Sequence, residues 1–178
     1  MKKVTLLVLL GIISFSCKND KSLDKIQIAE NKKVAQEEQY LIGTYTDSIN
    51  QGINLLNFNI DSLSLNSSIV IPEIENPSFV ITNKSKSIIV AVEEVASENG
   101  GRVCSYKYDK ESAKFDKISS VATHGDHPCS VTFSPNEDAI VVGNYTGGNL
   151  VYFPINENGI INDEPTIINH KGNSINNE

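Results

Sequence analysis

Residues 76–94, NPSFVITNKSKSIIVAVEE, and residues 127–145, HPCSVTFSPNEDAIVVGNY, align without a gap at an offset of 51. Each copy has a residue-proline pair, a short strand, a polar turn (residues 83–87 and 134–138) and a strongly apolar strand. The pieces that follow match too. Gly100-Gly101 leads into RVCSYKYD, Gly147-Gly148 into NLVYFPIN, and Gly52 into INLLNFNID. YLIGTYT at residues 40–46 matches IVVGNYT at 140–146, an offset of 100, or two repeats. A unit of about fifty residues holding four short strands and no helical period is the sequence signature of a β-propeller blade. A β-sandwich also alternates, but it does not repeat its whole strand set at fixed spacing. The fold class is therefore all-β: a propeller with four-stranded antiparallel blades.

The strands expected are 40–43, 53–60 and 67–71, then 79–82, 88–92, 103–108 and 117–122, then 130–134, 139–143, 150–155 and 166–169. That is about three blades, against the roughly four to eight that close a propeller. The chain reads as part of a ring. The faces of the terminal blades then need a covering.

Composition limits the partners. The net charge is −7 and Arg102 is the single arginine, so a nucleic-acid backbone has no basic patch to meet. There is no CxxC, and the only close histidine pair, His124 and His127, has no further ligands nearby, so no metal and no cofactor are expected.

Residues 1–16 read as a leader. Lys2 and Lys3 precede an apolar stretch from Val4 to Ile13 that is too short to span a bilayer comfortably, and Ser14-Phe15-Ser16-Cys17 follows. This arrangement is similar to a bacterial lipoprotein signal, in which Cys17 becomes the lipidated first residue. An ordinary secretory signal with an incidental cysteine is the plainer alternative. Residues 17–39 are polar and mixed in charge, as in a tether, and residues 40–178 hold the propeller. The location expected is outside the cytoplasm, with the membrane met only through a lipid. Cys104 and Cys129 lie in different repeats of a chain whose compartment permits disulfides, so two thiols and one bridge are both open.

An antiparallel four-stranded meander sends its loops to two faces. Loops joining blade to blade and loops between the second and third strands share one face. That face gathers Thr44, Tyr45, Asn76, Glu93, Glu94, His127, Asn144 and Tyr145, which are the candidate substrate-binding residues. Each also has a structural reading. Asn76 and His127 precede prolines and can simply shape a turn, Asn144 and Tyr145 can cap a strand, and Glu93-Glu94 can be a solvated pair. Two carboxylates beside the axis can equally bind sugar hydroxyls or act as a base. The other face holds ordinary turn residues.

At these residues the chain resembles the propeller lactonase family, which includes the bacterial 6-phosphogluconolactonase and the fungal carboxy-muconate lactonising enzyme. The matching pieces are YLIGTYT, Gly52-Ile53, Asn76-Pro77-Ser78 and HPCSVTFSPNEDAIVVGNYTGGNLVYFPI, with His170-Lys171-Gly172-Asn173-Ser174 similar to the family's next signature. The resemblance implies a seven-bladed ring, a monomer when full length, and hydrolysis of a sugar δ-lactone, 6-phospho-glucono-1,5-lactone or a relative, in carbohydrate metabolism. It also implies that an arginine, a proline-histidine-x-histidine strand and further acidic residues come from later blades. The catalytic groups are thus expected beyond residue 178, and the 178-residue chain is expected to be inactive alone. Two other functions fit the repeat: a non-catalytic extracytoplasmic propeller that binds a ligand or partner, and an open scaffold that closes by oligomerising. The Gly43-Thr44-Tyr45 opening and the Asn144-Tyr145-x-Gly-Gly turn favour the lactonase.

Overall fold

The computed structural model describes residues 36–47 and 51–172. The leader, Cys17, the tether up to residue 35, and Asn173 and Ser174 lie outside the described residues.

Every regular element among the described residues is a strand. Blade 1 is a three-stranded sheet of β1 (Glu37–Gly43), β2 (Ile53–Asn59) and β3 (Ser64–Ile71). Blade 2 holds β4 (Val80–Thr82), β5 (Ile88–Glu93), β6 (Arg102–Asp109) and β7 (Lys114–Ala122) in that order. Blade 3 holds β8 (Pro128–Phe133), β9 (Ala139–Asn144), β10 (Asn149–Pro154) and β11 (Thr166–Asn169). All neighbours pair antiparallel. The repeat thus divides the chain into meanders as its spacing requires. One boundary moves: β1 starts at Glu37 rather than Tyr40, because Glu37, Glu38 and Gln39 pair with Asn59, Phe58 and Asn57.

The apolar runs are near-continuous because the middle blade is buried on both faces. In β5, Ile88, Val90 and Val92 join Val103, Val131, Ile140, Val142, Val151 and Phe153 in the cluster between blades 2 and 3. Ile89 and Ala91, one residue out of phase, join Ile53, Ile71, Cys104 and Tyr106 in the cluster between blades 1 and 2. Period-two alternation therefore feeds two interfaces from one strand. On the outer blades only one phase is buried. Val151 and Phe153 face blade 2, while Leu150, Tyr152 and Ile168 on the opposite side of blade 3 are exposed. Tyr40, Ile42 and Ile69 are likewise exposed on the far side of blade 1. Both outer faces are thus apolar surfaces of the kind that the two internal interfaces bury.

Cys104 is buried and Cys129 half-buried, and both are free thiols, so of the two cysteine alternatives the structure shows the unbridged one. Burial pushes the Cys104 thiol above its ordinary range. An apolar cleft of about 320 Å³ lies between blades 1 and 2, lined by Leu41, Leu55, Val80, Ile89, Tyr108 and Phe115 among others, where blade 1 has three strands among the described residues.

Candidate functional site

The loops assigned to one face do meet, and they do so from blade to blade. In blade 1, the Tyr45 hydroxyl donates to Glu94 Oε2 of blade 2 at 2.9 Å. Beside it, the Asn76 amide N–H donates to Thr46 Oγ1 at 2.9 Å, and the Thr46 N–H donates to Asn76 Oδ1 at 2.8 Å. Asn76 also grips Glu94: its carbonyl accepts the Glu94 N–H at 3.1 Å, and its Nδ2 donates to the Glu94 carbonyl at 3.4 Å. At the next junction the His127 N–H donates to the Val95 carbonyl at 3.1 Å, and the Tyr145 N–H donates to the His127 carbonyl at 2.9 Å. The His127 Nδ1 lies 2.9 Å from Thr146 Oγ1.

Asn76 and His127, which are equivalent in the repeat, both adopt positive φ, 44° and 53°. A non-glycine residue rarely takes that conformation, and here each stands before a proline. The surrounding hydrogen bonds hold both residues there, so the pre-proline position is a fixed feature of the face. The opposite face carries turn chemistry, as expected. Asn83 Oδ1 accepts the N–H groups of Ser87 and Ile88, and Asp109 accepts those of Glu111 and Ser112. The Ser112 hydroxyl on Asp109 also lowers that carboxyl below its usual range.

The eight candidates separate into open groups and braces. Tyr45 and Tyr145 are exposed, at 62% and 80%, while Glu94 and His127 are half-buried with their side chains turned to Tyr45 and Thr146. Asn144 is only 4% exposed. Its Nδ2 donates to the Thr123 carbonyl at 2.9 Å and to Asn149 Oδ1 at 2.7 Å, and Asn149 Nδ2 in turn donates to the His124 carbonyl. Asn144 thus ties the incoming loop of blade 3 to its own turn and is not an open donor. Thr44 Oγ1 donates to the Gly52 carbonyl and closes its loop. Glu93 accepts the Glu75 N–H and stands 3.7 Å from Arg102 Nε, whose guanidinium is held by Ser120. Asn76 spends its amide on the neighbouring loops.

Thr46 and Ser78, which the sequence reading did not count as candidates, complete the face with Thr146, which it placed there beside Asn144 and Tyr145. Thr46 and Thr146 orient Asn76 and His127, and their matching places in the two YT dipeptides were the available signal. Ser78, the repeat equivalent of Cys129, buries its hydroxyl beside the Tyr45 phenol. The Tyr45 phenol is held above its ordinary range, first by the hydrogen bond it donates to Glu94 and then by partial desolvation. The neutral phenol therefore keeps its proton on this bond across the neutral range.

The family model for lactonase, seven-bladed β-propeller, matches residues 39–178. The chain belongs to that family. Among its lactonase relatives is the 6-phosphogluconolactonase of Bacillus subtilis strain 168, 26% identical over 131 residues, a match covering 74% of this chain and 37% of that protein. A candidate 6-phosphogluconolactonase from Bacteroides fragilis superposes with a TM-score of 0.69 at 29% identity, covering 80% of this chain and 39% of the other. The periplasmic gluconolactonase of Pseudomonas aeruginosa superposes with a TM-score of 0.65 at 25% identity, covering 71% and 37%. The chain spans about two fifths of the length of these relatives. Three blades of a seven-bladed ring are a matching fraction. No helix among the described residues is long and apolar enough to cross a membrane, and no cluster among them has the side chains to hold a metal ion.

Proposed function

We propose that these blades are a sector of a sugar-lactone hydrolase, with the lactone bound over the face of Tyr45, Glu94, His127 and Tyr145. The observation that carries the reading is the lactonase family match combined with the blade-to-blade hydrogen bonds of that face, Tyr45 to Glu94 and His127 to Val95. In the reaction the water oxygen bonds to the ring carbonyl carbon and the ring C–O bond breaks. One proton goes to the ring oxygen, and the acid product releases another to solvent. A base that takes a proton from water and donors for the carbonyl oxygen lower the barrier. The relatives' names extend the reading to glucono-1,5-lactone or its 6-phosphate. A closed ring covers the two outer blade faces within one chain and needs no second copy. In a pH-stat, the protein carrying these blades in a closed ring should release protons from glucono-1,5-lactone or its phosphate far above the spontaneous rate. A rate equal to buffer alone for both would refute the reading and favour a binding module.

We infer further that Cys17 carries a lipid and holds the protein outside the cytoplasm, on the strength of the leader pattern. Cys17→Ser should abolish fatty-acid labelling and release the protein from the membrane fraction. Unchanged labelling would refute the anchor.

A further inference from the structure

Resting on the lactonase reading, we propose that Glu94 is the base that takes the proton from the attacking water, and that Tyr45 positions it. The repeat singles the residue out. Tyr45, Glu94 and Tyr145 occupy one place in three successive blades, so blade 2 alone among them sets a carboxylate where its neighbours set a phenol. Breaks in an otherwise consistent pattern collect at functional positions. A base needs a fixed lone pair that water can still reach. Glu94 is held at three points. Its N–H donates to the Asn76 carbonyl at 3.1 Å, its carbonyl accepts from Asn76 Nδ2 at 3.4 Å, and its Oε2 accepts the Tyr45 hydroxyl at 2.9 Å. The phenol itself sits where three blades converge. It comes from blade 1, Ser78 ahead of β4 buries its hydroxyl beside it, and Cys129 on β8 stands near it.

The phenol uses one of about four acceptor directions of the carboxylate, and Glu94 is half-buried rather than enclosed, which leaves the others for water. Glu93, the second carboxylate of the pair, is already engaged: it accepts the Glu75 N–H at 3.5 Å and stands 3.7 Å from Arg102 Nε. In the step itself, Glu94 takes a proton from water as the water oxygen bonds to the ring carbonyl carbon. The ring C–O bond then breaks, its electron pair stays on the ring oxygen, and Glu94 returns the proton there. The carboxylate is regenerated, and the acid product loses its own proton to solvent. The expectation of catalytic groups beyond residue 178 then applies to the donors for the carbonyl oxygen.

The test measures kcat and KM of the closed-ring protein on glucono-1,5-lactone. Glu94→Gln keeps the shape and an acceptor for the phenol but cannot hold the proton. It should lower kcat by about 10²–10⁴-fold with KM little changed. Formate, a small carboxylate, should restore part of the rate to Glu94→Ala. Tyr45→Phe should lower kcat by about tenfold, the scale of one hydrogen bond to a charged group. In the Glu94→Gln background it should add nothing, because the phenol acts through the carboxylate. Glu111→Gln on the opposite face should change neither parameter. Unchanged kcat with a raised KM in Glu94→Gln would mean that the carboxylate only binds sugar hydroxyls, and would overturn the inference. Losses from Tyr45→Phe and Glu94→Gln that multiply would overturn the positioning role. A wild-type ring that hydrolyses no lactone would overturn the enzymatic reading itself, and the inference with it.

Discussion

Phe153→Ala is expected to destabilise the chain by about 3–5 kcal/mol, the usual range for deleting a fully buried phenylalanine. Phe153 is 0% exposed and is among the largest fully buried side chains of the structure. It lies on β10 in the phase facing blade 2, in the cluster with Val90, Val121, Ile140 and Val151. Removing the ring leaves a void between two stiff sheets, which cannot collapse without losing their pairing. Natural domains are stable by about 5–15 kcal/mol, so the loss is a large share of the total. Urea unfolding followed by circular dichroism measures it through the midpoint at constant slope. Tyr152→Ala, one residue away on the exposed face, should shift the midpoint far less. Equal effects at the two positions would mean that the blades are not packed in this phase.

Gly43→Ala is expected to detach blade 1 from the loop that begins blade 2. A Cβ at Gly43 would stand 1.7 Å from the Pro77 carbonyl oxygen, a backbone atom with no side-chain freedom to move aside. Gly43 directly precedes Thr44 and Tyr45, and Pro77 directly follows Asn76. The displacement therefore breaks the Asn76–Thr46 and Tyr45–Glu94 hydrogen bonds together. The cost should exceed about 4 kcal/mol, in the class of severe single substitutions. Hydrogen exchange of the β1 amides should accelerate well before that of β9. Gly148→Ala is the control. Its φ is +62° but its Cβ would meet nothing within 4 Å, so it should cost only about 1 kcal/mol. Protection of β1 that survives Gly43→Ala would contradict the close approach.

Much of the architecture could be read in advance because β5 is buried on both faces and β9 packs against it from blade 3. Their apolar runs repeat at one offset, and the turns between them carry Asn, Ser and Asp at matching places. The start of β1 was less legible. Glu37, Glu38 and Gln39 read as tether because nothing in their polarity signals pairing, yet they extend the strand opposite Asn57–Asn59. The site was legible by location and not by role. Asn144 and Tyr145 are neighbours in sequence, but Asn144 ends β9 with its amide buried on the Thr123 carbonyl, whereas Tyr145 opens the turn and stands in solvent. Sequence spacing brings Tyr45 and Glu94 to one face; only the packing of blade 1 on blade 2 makes them a hydrogen-bonded pair. The braces at Thr46 and Thr146 were hidden for the opposite reason. Threonine is ordinary in a β-rich chain, and its role depends on what folds against it.

The central claim is that these blades present the lactone-binding face of a propeller lactonase. The most direct measurement is the pH-stat rate on glucono-1,5-lactone for the closed-ring protein, with His127→Ala on the site face set against Glu111→Gln on the other. The account predicts hydrolysis by the parent protein, a loss of at least about tenfold in kcat/KM for His127→Ala, as for a typical loss of one hydrogen-bonding group, and no change for Glu111→Gln. Hydrolysis that is indifferent to His127, or reduced equally from both faces, would contradict it.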